Sequence, residues 1–557
     1  MLLRSIALAA LAAFPAGGSA AAVAAGAHGL RPAVCSASCF AAPAGSGSVF
    51  LVSGHGWGHG VGMSQYGAYG YAQHGWTAAQ ILAHYYQGTT LTTTTASTVR
   101  VLLAEGRPTL ELSSTAPFTV RDGKGQSHTL ASTTLALRAP LKLRVDGDTT
   151  RQALPPPLTF VPGGAPLTLV RPYRGQIQVD VADGKLRAID VVGLEQYLYG
   201  VVPAEMPSGW ASEALKAQAV AARSYALATR KVGAPFDVYP DTRSQTYLGI
   251  SDEQHAATAA VDATKGQVVT YGGKVATTYF FSSSGGRTES SADWTGVERP
   301  YLVSVPDPYD SVSPYHDWAL LPLTGQALAR ELGLPGTATD ARTTLNPAGR
   351  VAGLAVASQT EGRQTTATVP GARVRTAMRL RSTWFAVGVL SLQAPSPATP
   401  VTYGSSVRLS GLARGVGGVA LEQRTPGSSW RSATPAAPAG GRVWVTAKPT
   451  IATQYRLATA AAATAPVRVR VAPRVRLTAA AAGEVRGVEA PALRGVSVRI
   501  ERRGSNLRWT PVATGAADAG GRFAVPAAVV AGAAYRAVVA PGRGYAAGSS
   551  PALVGSG

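Results

Sequence analysis

Thiols and acids are what this chain has least of. Only two cysteines occur, Cys35 and Cys39, and 30 Asp and Glu stand against 51 Lys and Arg, giving +21 over 557 residues. Two cysteines separated by three residues exclude a disulfide scaffold. With no histidine beside them they make a poor zinc ligand set, so a small local disulfide is the expectation and no metal is assigned. Long apolar runs are absent too. The first, Ile6 to Phe14, falls well short of the ~18 residues of a membrane span, and none later is longer. With Arg4 before it and small residues around Gly18 to Ala20 and Val23 to Ala25, residues 1–25 have the pattern of a secretory signal peptide. The expectation is a secreted, cell-wall-associated protein.

The basic charge is uneven. From residue 391 onward 20 Lys and Arg face 5 Asp and Glu, so most of the excess lies in the tail. For an exported chain such charge suits anionic wall polymers or lipid head groups, not nucleic acid. A solubilising surface accounts for it equally well.

At ~100–200 residues per domain the length calls for three or four domains. Residues 26–47 are Ala/Gly/Ser-rich and lack an apolar period, as expected of a linker. Order is expected from 48. A short strand, Val49 to Val52, runs into the glycine-dense Gly54-His-Gly-Trp-Gly-His-Gly-Val-Gly62, which must be a tight loop. Helices are predicted over Met63 to Tyr71 and Thr77 to Tyr86, the second with Ile81, Leu82 and Tyr85 on one face. Residues 97–192 alternate in short runs such as Gln176 to Val181 and Leu186 to Val192, a β-rich pattern. Ser212 to Arg230 then gives the strongest helix signal, with Leu215, Ala219, Ala222 and Ala226 in a narrow stripe. Strands at 267–281 and 351–358 and helices at 254–264 and 324–333 complete the segment to 390.

Beyond Pro395 the chain repeats itself. Val407-Arg-Leu409, Trp430, Ala439-Gly-Gly-Arg442 and Tyr455-Arg456 recur as Val475-Arg-Leu477, Trp509, Ala519-Gly-Gly-Arg522 and Tyr535-Arg536. The first pair is offset less than the others, which implies an insertion of about a dozen residues in the second copy. Short strands around one central Trp predict two tandem immunoglobulin-like β-sandwiches, 395–472 and 473–557.

Leu194-Glu-Gln-Tyr-Leu-Tyr-Gly-Val-Val-Pro-Ala-Glu-Met-Pro207, followed by Glu213-Ala-Leu-Lys-Ala-Gln-Ala-Val-Ala-Ala-Arg-Ser-Tyr225, resembles the SpoIID (stage II sporulation protein D) family, which includes LytB-like amidase enhancers. Asp241 to Tyr247, Ala263 to Gly266, Tyr279 to Thr288 and Pro300 to Leu302 continue the resemblance, which spans roughly residues 49–390. It implies a mixed α/β SpoIID-like catalytic domain over 48–390, divided into 48–90, 97–192 and 193–390. The implied activity is lytic transglycosylase cleavage of peptidoglycan glycan strands stripped of stem peptides. One Glu acts first as acid and then as base, giving 1,6-anhydro-muramyl ends, and no cofactor is implied. The motif places that role on Glu205. Non-catalytic enhancement of an amidase is the alternative.

By residue type alone, Glu205 is either a surface acid in a turn or a carboxyl raised by its apolar neighbours Val201, Val202 and Met206 into the range of a general acid. Glu195 and Glu213 are weaker rivals. Substrate contacts are expected from Lys216 and Arg223 on one helix face, from Gln245 and Tyr247, from Tyr279, Ser283 and Ser284, and from His55, His59, Ser64 and Gln65 in the glycine-histidine block. In most relatives that block comes last, after a strand like Arg379 to Val387. Here it comes first, a circular permutation, which predicts that Val49 to Val52 lies beside the strand around Trp384 to Val387.

Overall fold

A computed structural model describes residues 47–395 and 398–556. The expected signal peptide, nearly all of the linker, and Cys35 and Cys39 lie outside the described residues.

The alternating runs between 97 and 192 fold as antiparallel sheets. Six strands pair in the order Thr98–Arg107, Lys185–Gly193, Gln176–Ala182, Leu158–Val161, Phe118–Arg121 and Ser127–Leu130. Their inward residues, among them Val120, Phe160, Ile177 and Val179, form one face of a large apolar cluster. That cluster is closed by three helices, α1 (Leu194–Glu205), α2 (Ser212–Thr229) and His255–Ala263.

The alanine content of α2 explains its position. Leu215, Ala219, Ala222 and Ala226 pack on the β-rich side, as the periodicity predicts. Ala217, Val220 and Ala221 on the other side enter a second cluster with Val61, Met63, Ile81, Leu82 and Tyr85. Small side chains on both flanks let two layers close on one helix. The second layer comes from the start of the chain: helices Gln65–Gln73 and Ala78–Tyr85, the latter begun by a capping box between Thr77 and Gln80.

Strand Val49–Gly54 pairs antiparallel with Phe385–Gln393, in register Val49 with Leu390 and Gly54 with Phe385. The pairing expected of a permuted chain is therefore present, and Ile81, Leu82 and Tyr85 are buried in the same core as α2. The following glycines are needed where the loop crosses other backbone: Gly62 has φ +78°, and a Cβ there would fall on the Tyr279 carbonyl oxygen.

From Phe385 on the chain is all-β apart from its connections. Two units follow, each of two antiparallel sheets around one apolar cluster, centred on Leu409, Leu421, Val443 and Tyr455 in the first and on Val485, Val498, Ile500 and Tyr535 in the second. Three expectations are corrected here. Val407–Arg414 lies between Phe385–Gln393 and Arg442–Ala447 in a five-stranded sheet, and its topological counterpart is Glu484–Ala490, which lies between Arg474–Ala481 and Arg522–Pro526, not the strand carrying Val475. The apparent insertion is thus a misalignment of first and second strands. Trp430 and Trp509 are half-buried beneath Arg456 and Arg536 and do not occupy the cores, where Tyr455 and Tyr535 lie instead. The first unit also borrows Phe385–Gln393, which pairs with Val407–Arg414 as well as with Val49–Gly54, so it has no free boundary at 395.

Among the described residues no helix is long and apolar enough to cross a membrane, and no group of three His, Cys, Asp or Glu is placed to hold a metal.

Candidate active site

Glu205 does not sit in a turn after a strand. It is the last residue of α1, because Pro207 drives Met206 into extended backbone (φ −134°, ψ 135°) and ends the helix there. Its carboxyl lies among Tyr197, Tyr225 and the backbone of Thr246, 7 % exposed. Burial pushes its pKa up, against a hydrogen bond that Oε1 accepts from Thr246 N at 2.8 Å. The negative end of the α1 dipole disfavours the carboxylate as well. A carboxyl with one firm backbone donor and a raised pKa keeps its proton to higher pH than an ordinary glutamate.

Three buried glutamines lie along the contacts that lead from it. Gln65 Nε2 donates to the Glu205 carbonyl at 3.0 Å and lies 3.5 Å from Gln218 Oε1, while Gln245, next to Thr246, accepts from Tyr197 OH at 3.2 Å. All three side chains are at least 98 % buried, and Gln218 Nε2 and Gln245 Nε2 have no partner among the described residues. The ring of Tyr279 is 5.8 Å from that of Tyr225. The expected residues Gln65, Gln245 and Tyr279 therefore gather with Glu205.

The others are placed differently. Arg223, fully buried, is held by Glu195 at 2.5 and 3.0 Å and by the carbonyls of Gln267 and Val261, so it fastens α2 and meets no ligand. Glu195 itself stands in the first turn of α1, not in a strand. Lys216 pairs with Glu213 at 2.7 Å, and Glu213 Oε2 in turn accepts from Ala78 N, so the pair ties α2 to Ala78–Tyr85. Tyr247 is buried and donates to Asp190 at 2.8 Å.

Ser64, Ser283 and Ser284 converge on a different acid, Asp310. Its carboxylate accepts from Ser64 Oγ, Ser283 Oγ, Ser284 N and Gly285 N at 2.8–2.9 Å, and His316 Nδ1 stands 3.2 Å away. His59 is a core residue: it stacks on Trp294 at 4.5 Å, accepts from Val61 N, and burial lowers its pKa to about 3, so it stays neutral. His55 is half-exposed and paired with Asp317 at 2.7 Å beside Trp384. Sequence reasoning missed Thr246, whose contribution is a backbone N–H and leaves no trace in residue type. It also passed over Asp310, which looks like any loop acid until the chain folds.

A buried acid at a helix C-terminus, packed against a two-sided alanine helix and edged by amides, defines the class of site. Residues 182–271, which contain Glu205, Gln218 and Gln245, match the family model described as Stage II sporulation protein, SpoIID. The chain therefore carries a SpoIID domain. It is 39% identical over 136 residues to an uncharacterised protein of Brachyspira hyodysenteriae, covering 24% of this chain and 37% of that one. It is 34% identical over 166 residues to Stage II sporulation protein D of Bacillus subtilis, covering 27% and 48%. It is also 42% identical over 124 residues to the Amidase enhancer of Bacillus subtilis, covering 22% and 16%. In each case this chain spans less than half of the relative's length.

Proposed function

We propose that this protein is an exported lytic transglycosylase of peptidoglycan, acting on denuded glycan strands with Glu205 as its single acid and base. The observation that carries the reading is the state of Glu205: buried, raised in pKa, yet still 7 % exposed. In the proposed reaction the neutral carboxyl gives its proton to the glycosidic oxygen as the C1–O4 bond breaks. The resulting carboxylate then takes the proton of the muramic acid 6-hydroxyl as O6 bonds to C1, which closes the anhydro ring and restores the acid. No water is consumed, which is why one carboxyl suffices where a hydrolase needs two. In this reading the two β-units are immunoglobulin-like modules whose basic surface keeps the enzyme on the wall.

The test is digestion of purified, peptide-stripped strands followed by mass spectrometry of the ends. Anhydro-muramyl ends made by the wild type and not by Glu205→Gln are expected. Reducing ends would indicate hydrolysis instead. The name of the Amidase enhancer relative favours one second reading, a wall-binding protein that stimulates an amidase. Under that reading the purified strands stay intact and added amidase is accelerated equally by wild type and Glu205→Gln.

A further inference from the structure

Beside Glu205 begins a row of aromatic rings that the proposed chemistry leaves unused. Trp210 lies five residues past Glu205, on the turn closed by its own N–H to the Pro207 carbonyl at 3.0 Å. Tyr69 stacks on it at 4.6 Å with the planes 16° apart, and Tyr66 meets it at 4.7 Å. Tyr66 leads to Tyr315 at 5.9 Å, and Tyr315 to Trp57 at 4.5 Å. The exposed Arg381 closes the far end, its guanidinium 5.0 Å from the Tyr315 ring and 5.6 Å from that of Trp57. The near end is anchored to the acid itself, since Gln65, whose amide holds the Glu205 carbonyl, directly precedes Tyr66.

Packing alone does not account for this row. All five rings are only partly buried, and Trp57, Tyr66 and Tyr315 belong to none of the apolar clusters among the described residues. They come from four separate stretches of chain, which the fold brings into one line. Tyr69 and Trp210 rest on the large apolar cluster and hold up the row, and a continuous, partly exposed line of rings beside a buried acid marks a ligand surface. Flat rings present faces to which the C–H side of a pyranose can stack, while its hydroxyls remain in water. An arginine at the end of the row adds a partner for a carboxylate.

We infer that Trp210, Tyr69, Tyr66, Tyr315 and Trp57 form an extended subsite along which successive sugars of one denuded glycan strand lie, with Arg381 meeting a lactyl carboxylate at its far end. This rests on the glycan reading of Glu205 and adds the strand's path across the domain. It assigns to Trp57 and Tyr66, on the permuted N-terminal segment, a role in strand binding.

The experiment uses the full chain carrying Glu205→Gln, so that no ligand is consumed, and measures Kd by calorimetry. The ligands are a short peptidoglycan oligosaccharide, a long denuded strand, and a chitin oligomer of matched length that lacks the lactyl carboxylate. The long strand is expected to bind more tightly than the short one. Trp57→Ala and Tyr315→Ala should each reduce that long-to-short ratio about two- to tenfold. Arg381→Gln, an exposed change that leaves the fold intact whatever the ring variants do, should weaken the long strand but not the chitin oligomer. A long-strand advantage that survives in Tyr315→Ala and Arg381→Gln, with glycan still bound, overturns the subsite alone. Binding of neither peptidoglycan ligand by the Glu205→Gln chain overturns the subsite together with the reading it rests on.

Discussion

Two buried acids in this domain have opposite fates. Asp310 is wholly enclosed and surrounded by five donors from Ser64, Ser283, Ser284, Gly285 and His316, which leaves its carboxylate nothing further to do. Glu205 keeps a sliver of exposure and one backbone donor, and its pKa rises. What distinguishes the two is how many hydrogen bonds each carboxyl accepts, five against one. Asp307 is a third case: it accepts from Tyr85 OH at 2.8 Å, and burial followed by the neighbouring Asp310 charge raises it to about 7.

The contrast can be broken most severely by removing residues 1–90. That deletion takes away the strand paired with Phe385–Gln393, half of the second apolar cluster and Ser64 from Asp310. The remaining chain is expected to lose cooperative unfolding of the SpoIID domain by circular dichroism, and a stable, active 91–557 chain would contradict the fold reading. Next in size is Asp310→Ala, which strands several buried donors at once. It should cost about 3–5 kcal/mol in denaturant unfolding. Glu205→Gln should do the reverse: an intact fold with turnover on denuded strands lowered ~10²–10⁴-fold.

Acidity sharpens the same comparison. Because the acid must be protonated and its pKa is raised, the rate should fall as pH climbs through that raised value. The same shift means that folding binds a proton, so wild-type stability falls as pH rises above the unfolded Glu value. Glu205→Gln should accordingly melt higher than wild type at neutral pH, and the gap should close near pH 4. The smallest effect concerns His316, whose pKa is raised chiefly by its hydrogen bond to Asp310. Its contribution is full below the unfolded histidine value and lost as pH rises through the folded one. His316→Asn should thus cost under about 1 kcal/mol at pH 5 and almost nothing at pH 8, the ring being partly open to solvent.

Much of this arrangement was legible in the chain because it is local. The alanine helix and the strand alternation before it follow from neighbours a few residues apart, whereas α1, which carries Pro203 in its last turn, looked like a turn around Glu205. What escaped depends on partners distant in sequence. Arg223 looked like a sugar ligand because nothing in its own helix reveals Glu195, 28 residues earlier, facing it. Ser283 and Ser284 looked like groove hydroxyls, but Asp310 takes the hydroxyl of the first and the backbone N–H of the second, and the Ser284 hydroxyl accepts from Gly286 N. The second flank of α2 was hidden because alanine carries too little hydrophobicity to show as a stripe, although its smallness is what admits the N-terminal helices. The β-repeat misled for a related reason, since alternating Val-Arg-Leu fits a first strand as well as a second.

Phe385–Gln393 is also a mechanical joint. It is bonded on one side to Val49–Gly54, which runs straight into the loop leading to Gln65 and Glu205, and on the other, through five registered pairs, to Val407–Arg414. Arg414 reaches back across this joint to Asp340 and to the Ala341 carbonyl at 2.7 Å. The first β-unit is spliced to the domain by a shared pleat and does not hang from a tether. A load applied to the tail would be borne sideways by a ladder of hydrogen bonds, and the bearing of that tail relative to Glu205 is set by strand register.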